Sequence, residues 1–174
     1  MTGRRRLVQG SKHVVFCAMR EDGSQPASEM FDQLAAGEWR ADSDHEEGDR
    51  WPDERQASDR LALLRIMSYF ADHGTVLSRT HINDLDDGVW EFKRARKRVS
   101  FFDTDGAGET GYRARNTRQE QCSRVEDPFW HIPDFHHQLR LGHCFAKTST
   151  QTDKNDIYES IRTREEDLSH DRAA

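Results

Sequence analysis

The chain has little to bury and no stretch apolar enough to cross a bilayer. Only 34% of its 174 residues are apolar while 33% are charged. That ratio supports one modest core with polar segments outside it, not a series of domains. No apolar run reaches the length of about 20 residues that a spanning helix needs, so no membrane association is expected. Arg4, Arg5 and Arg6 are followed by Leu7 and Val8 and then at once by Gln9, Gly10, Ser11 and Lys12. A secretory signal core is therefore not expected either. Cysteine is scarce: Cys17, Cys122 and Cys144 are far apart, odd in number and without Cys-x-x-Cys spacing. This argues against a disulfide framework and for a reducing, cytoplasmic setting. Positive charge is also in deficit. A formal net charge of -6 and a pI near 5.8 exclude a protein that coats nucleic acid uniformly.

What is present is segregated. Residues 21–59 hold three Lys or Arg against thirteen Asp or Glu, whereas residues 90–118 hold eight against four. Five of the six positions from Lys93 to Arg98 are cationic. Such a run is either a solvated hairpin tip guarded by charge or a working surface for a polyanion.

Periodicity places these segments on elements. His13–Met19 reads as a strand between Ser11-Lys12 and Asp22-Gly23-Ser24. Ser28 can cap a short helix that carries Met30, Phe31, Leu34 and Ala35 on one face and stops at Gly37. Residues 38–54 are acidic and without period, as in a loop or linker. His45 within it, beside Asp44 and Glu46, offers metal-ligand types but no scaffold to fix them. Asp53 to His73 is helical, with Ala57, Leu61, Leu64, Met67 and Phe70 as its inward stripe and Gly74 as the stop. Leu77 to Leu85 is a connection. Trp90 and Phe92, then Val99 and Phe101, alternate with polar or outward positions and predict a hairpin turning near Ala95 to Lys97.

Residues 107–138 lack period and read as a polar insertion. Trp130, Phe135 and the histidines 131, 136 and 137 within it suggest an aromatic plug more than a zinc site, because the spacing matches no structural set. Leu139–Ala146 is the last strand. Asp153 to Leu168 forms a final helix with Ile157, Ile161 and Leu168 inward. The order gives an α+β plan: a small antiparallel sheet with two N-terminal helices and a C-terminal helix, one domain over residues 1–174, with the helices mainly on one face and the other face open.

Several motifs in order resemble the RelE/ParE superfamily of toxins, in its HigB-like, phage-related branch. They are Leu85, the Asp87-Gly88 turn, Trp90-Glu91-Phe92-Lys93, Arg98-Val99-Ser100-Phe101-Phe102 and His143-Cys144-Phe145-Ala146-Lys147-Thr148. The chain departs from the family pattern at Lys93, where arginine is usual, at Thr148 in place of a second lysine, at Asp153 in place of a proline, and in the 107–138 insertion. The resemblance implies a RelE-like sheet and a type II toxin that cuts mRNA on the ribosome and is silenced by a cognate helix-turn-helix antitoxin. It also implies a reaction that uses the RNA 2'-hydroxyl as nucleophile, with no metal or cofactor. Lys93 and Arg98 would clamp the transition-state phosphate, His143 would move a proton and Lys147 would add a phosphate contact. Arg94, Arg96 and Lys97 would hold RNA backbone. A ParE-like inhibitor of DNA gyrase, or a degenerate RNA-binding module, is the alternative.

Overall fold

A computed structural model describes residues 3–111, 113, 116–117 and 130–174. Its elements are β1 (Arg6–Gln9), β2 (Val14–Cys17), α1 (Pro26–Ala36), α2 (Glu54–His73), β3 (Ile82–Asp86), β4 (Val89–Arg94) and β5 (Lys97–Thr104), followed by β6 (Asn116–Thr117), β7 (Trp130–His131), β8 (Gln138–Ala146) and α3 (Lys154–Ala173). Six strands form one sheet in the order β1-β2-β8-β5-β4-β3, while β6 and β7 pair apart from it. The class is α+β, but the sheet is mixed: β2 runs parallel to β8 and every other pair in it is antiparallel. Among the described residues no helix is long and apolar enough to cross a membrane.

Local chemistry sets most of the boundaries. Helix α1 starts with Pro26 in its first turn after Gln25, so Ser28 lies inside the helix and does not cap it. Pro is pre-organised for that position because the first turn has no use for its missing N–H. Asp53 caps α2 by accepting from the Arg55 amide, and Gly37 and Gly74 close α1 and α2 in the left-handed region, where a Cβ is penalised. Asp87 and Gly88 both have positive φ, 49° and 78°, the geometry of a tight hairpin turn matched to strand twist. That turn joins β4 to β3, a strand inside the segment expected to be mere connection. β3 reads Ile-Asn-Asp-Leu-Asp, and its Asn and Asp content hides it from any propensity argument.

Helices α1 and α2 cover one face of the sheet. Phe31, Leu34, Leu63, Met67 and Phe70 meet Val15, Trp90, Phe92, Val99, Phe101 and Leu141 in one buried cluster. Phe70 sits edge-on to Phe92 and Phe101, and Phe92 stacks on Phe101 at 4.2 Å between centroids. The buried stripe of α2 is Gln56, Leu63, Ile66, Met67, Phe70 and Ala71, rotated from the expected one. Leu61 is consequently exposed. Apolar residues occur on two adjacent stripes of this helix, and contact with the sheet selects between them.

The opposite face is not open over the centre of the sheet, because α3 packs there against β8 and β5. Its buried residues are Ser160, Thr163, Arg164, Asp167 and Leu168, so of the expected inward set only Leu168 is fully enclosed, and its apolar partners are Ala18 and Phe102. Arg140 on β8 points to this side and donates to Asp167 and Asp171, both at 2.6 Å, while Asp167 also receives the Arg4 guanidinium at 2.6 Å and the Met19 amide at 2.7 Å. Arg164 donates to the Asp87 carbonyl and carboxylate. A helix with few apolar residues is held by directional charge pairs in place of hydrophobic burial.

The described ends of the insertion are part of the body. Phe135 lies in the main cluster against Phe70, Trp90 and Phe101, as expected of an aromatic plug. Asp103, fully buried, accepts from the His136 amide and Arg113 Nε at 2.7 and 3.0 Å, and Trp90 Nε1 donates to the Arg113 carbonyl at 2.7 Å. Cys122 and the side chains of Trp130 and His131 lie outside the described residues.

Two outcomes follow. Phe135→Ala should cost about 3 kcal/mol or more in urea denaturation, as for a buried aromatic that leaves a cavity. Glu166 binds the α3 strap to the loop before α1: Arg20 donates to it, which holds its carboxyl down at about 2. A depressed carboxylate stabilises the fold above its ordinary pKa and loses that contribution as pH falls. Glu166→Gln should therefore cost about 1 kcal/mol near neutrality after solvent screening. The wild-type advantage in melting temperature should fade between the ordinary value of 4.5 and about 2.

Candidate functional site

Strand alternation divides the cationic run between the two faces. Lys93 opposes Arg98 and Arg94 opposes Lys97 across the β4–β5 hairpin. Side chains at directly opposed positions share a face, and neighbours along a strand do not. Trp90, Phe92 and Val99 face the helix α2 side, and Arg94 and Lys97 follow them. Lys93 and Arg98 face the α3 side together with Glu91 and Ser100, which oppose one another.

On the α2 side the charges are neutralised within the protein. Lys97 is 1% exposed, and its ammonium donates to Asp42, Asp44 and Asp59 at 3.1, 3.2 and 2.8 Å. Burial pulls its pKa down, but the hydrogen bonds to Asp59 and Asp42 outweigh that pull and hold it above the ordinary value. Arg94 donates to Asp59 at 3.1 Å, and the Arg96 amide donates to Asp44 at 3.1 Å. Lys97 is thus enclosed and has no donor left for RNA backbone, whereas Arg96 keeps an exposed side chain.

The acidic segment 38–54 supplies Asp42 and Asp44, α2 supplies Asp59, and the segment is a packed loop, not a linker. Trp39 is buried, with its amide and carbonyl both held by the Gln56 side chain at 2.9 and 3.0 Å. His45 pairs with Asp53 at 2.9 Å and stacks on Trp51. His45, Asp49 and Asp53 bring possible metal-binding atoms within 4.8 Å of one another. Arg55, however, donates to both carboxylates at 2.6 and 3.0 Å, so a guanidinium already supplies the positive charge there.

On the α3 side a cleft of about 440 Å³ is lined by Arg96, Arg98, Lys147, Thr148, Ser149 and Thr150. Arg98 opposes Phe145 on β8, and Phe145 stacks on His143 at 5.4 Å between centroids. His143 Nε2 lies 2.9 Å from the Asp156 carboxylate at the start of α3. A carboxylate partner fixes Nε2 as the protonated nitrogen and leaves Nδ1 for proton transfer. Arg98 and Lys147 therefore line one cleft, with Lys93 opposite Arg98 on the neighbouring strand and His143 stacked on the Phe145 that opposes Arg98. A cationic clamp beside an imidazole can bind a phosphodiester and move a proton.

Glu91 belongs to this group although no motif role pointed to it. Its carboxyl is fully buried and lies 3.7 Å from Arg98 Nε. Burial raises its pKa above the usual carboxylate range, against the opposing effects of Arg98, the Asn83 hydrogen bond, Lys93 and Lys147. Its position was readable, since it sits between inward Trp90 and Phe92, but its burial was not: that depends on Arg98 and the neighbouring strands closing over it.

Compared with known proteins, the chain matches no protein-family model, and no curated protein matches it.

Lys97→Met should remove the ammonium that Asp42, Asp44 and Asp59 share. Arg94 still pairs with Asp59, but the buried Asp42 is left without a cation among the described residues, which should cost about 3 to 5 kcal/mol. Arg96→Ala on the same hairpin should change stability by less than about 0.5 kcal/mol, and urea denaturation of both variants checks the contrast.

Proposed function

We propose that this protein is a RelE/HigB-like toxin, a ribosome-dependent mRNA endonuclease that uses the RNA 2'-hydroxyl as its nucleophile. A cognate helix-turn-helix antitoxin would hold it inactive, and the reaction would take place in the cytoplasm. The observation that carries the reading is the convergence of Arg98 and Lys147 on one cleft, with Lys93 opposite Arg98 on the next strand and His143 two residues from the Phe145 that opposes Arg98. Cleavage by a 2'-hydroxyl needs a base, an acid and positive charge at the pentacoordinate phosphate, all of which side chains can supply.

The roles follow from chemistry and position. Arg98 and Lys93 stabilise the charge that develops on the phosphate, and Lys147 holds an adjacent oxygen or the next phosphate. His143, fixed by Asp156 at 2.9 Å, exchanges a proton through its other ring nitrogen. Arg96 contributes backbone contacts, together with the hydroxyls of Thr148, Ser149 and Thr150 that line the same cleft. Arg94 is tied to Asp59 on the other face and contributes little. Lys97 serves the fold.

The test is single-turnover cleavage of mRNA on programmed ribosomes. Arg98→Ala and Lys93→Ala should each lower the rate by about a hundredfold with little change in ribosome affinity, because they act on transition-state charge. His143→Ala should also erase one limb of the pH–rate profile. Arg96→Ala should instead weaken binding, reduce its salt slope by about one and spare the saturated rate. Normal cleavage by the Arg98, Lys93 and His143 variants, or no cleavage by the wild-type chain, overturns the reading.

A further inference from the structure

Three buried polar atoms with no hydrogen-bond partner among the described residues lie at neighbouring positions on the α3 side of the hairpin: Glu91 Oε2, Arg98 Nε and Ser100 Oγ. Glu91 and Ser100 are direct cross-strand partners, and Arg98 is two residues before Ser100 on the same strand. Isolated buried groups of this kind are costly, and a fold that keeps several together at one place gives up stability there. Of the three residues, Arg98 lines the cationic cleft, and Glu91 and Ser100 are buried behind it.

Each nitrogen of Arg98 has a distinct setting. Nη1 donates to the carbonyls of Ala95 and Lys97 at 2.6 and 3.0 Å. Nε faces Glu91 Oε1 at 3.7 Å. Nη1 is held by two carbonyls and the guanidinium is planar, so the direction of Nη2 is set with it. Arg98 lines the cleft, and Nη2 is the guanidinium nitrogen with neither a carbonyl partner nor the Glu91 carboxylate against it among the described residues. The 3.7 Å separation is longer than a hydrogen bond, so Glu91 acts on the guanidinium mainly as a buried negative charge at its back. Asn83 Nδ2, 3.4 Å from Glu91 Oε1, steadies that charge from β3. Gly142 on β8 lies so close that a Cβ there would come within 2.9 Å of Ser100 Oγ, so the strand leaves this pocket only the space it needs.

We propose that Glu91 is a positioning residue for phosphate recognition: its buried carboxylate holds the Arg98 guanidinium so that the outer edge, Nη2, meets a phosphodiester in the cleft. The ligand class is a single-stranded polyribonucleotide phosphate, and the inference rests on the cleavage reading above. Glu91 makes no contact with substrate. It acts through Arg98.

The experiment compares Glu91→Gln, Arg98→Ala and the double variant with the wild-type chain. Cleavage is measured in single turnover on programmed ribosomes, and binding with a non-cleavable oligonucleotide carrying a 2'-deoxy sugar at the scissile position. Glu91→Gln should lower the cleavage rate by up to about a hundredfold, the scale of a misplaced catalytic group, while the oligonucleotide binds as tightly as to wild type or tighter. In the Arg98→Ala background the same substitution should have no further effect on the rate. A merely structural role would weaken binding and cleavage together and would add to the Arg98 loss. Should Glu91→Gln not fold, the Arg98 Nε–H resonance of the wild-type chain, identified by its loss in Arg98→Lys, supplies the second measurement. It should move as acid titrates Glu91 and move again when the oligonucleotide binds. Full cleavage by Glu91→Gln beside an inactive Arg98→Ala overturns this proposal alone. An Nε–H signal indifferent to pH does the same. Full cleavage by Arg98→Ala overturns the cleavage reading and this proposal with it.

Discussion

The ammonium of Lys97, enclosed by Asp42, Asp44 and Asp59, is the interaction on which the organisation of the cationic hairpin depends. It joins the acidic loop and the first turns of α2, which follow one another, to the start of β5, about 40 residues further along the chain. A single buried charge with three partners offsets its own desolvation only when all of them are in place, so the loop, the helix and the hairpin are coupled. Asp44 also receives the Arg96 amide, and Ser43 donates to the Lys147 carbonyl at 3.0 Å. The acidic loop thereby fixes the hairpin tip relative to the strand end that carries Lys147. An acidic chain uses its excess carboxylates to neutralise Lys97 and Arg94 on one face of a basic hairpin, while Lys93 and Arg98 lie on the other.

The α3 side follows a related logic with less apolar surface. Arg140, Asp167, Asp171 and Arg4 form a network beneath α3, and Arg20 ties the loop after β2 to Glu166. Charge pairs fix position and direction more narrowly than hydrophobic contact does. This matters at the start of the helix, where Asp156 orients His143. The helix begins there, and the part of the sheet beyond it carries Lys93, Arg98 and the cleft, with Glu91 buried beside Arg98. Termination of α3 by the Asp153 cap therefore decides how much of the cationic face remains accessible.

Glu91 and Arg98 show how such a face differs from a solvated one. Surface cations gain little from a defined geometry. Arg98 is 9% exposed, has Nη1 held by the Ala95 and Lys97 carbonyls and lies 3.7 Å from a fully buried carboxylate. These are the features of a preorganised group, whose orientation is established before a ligand arrives. Arg94 and Arg96 lie on the same hairpin with side chains 47% and 62% exposed, against 11% for the side chain of Arg98 and none for that of Glu91.

Much of the frame was legible in the sequence because local chemistry dictates it. Gly37 and Gly74 mark helix ends through their left-handed backbone, Asp53 marks a helix start, and the alternation around Trp90, Phe92, Val99 and Phe101 marks a hairpin with an inner and an outer face. The same alternation already separates Lys93 and Arg98 from Arg94 and Lys97. Strands β1 and β3 were not legible, since four or five residues of mixed polarity become strands only when a neighbour supplies the ladder. The stripe of α2, the polar face of α3 and the parallel pairing of β2 with β8 were likewise settled by what each element meets. So was the fate of each cation. Sequence determined that positive charge would be concentrated at one hairpin and negative charge in one loop. Tertiary structure decided that the two would meet on a single face, because pairing of buried charges depends on distances between segments, and local sequence does not set those distances.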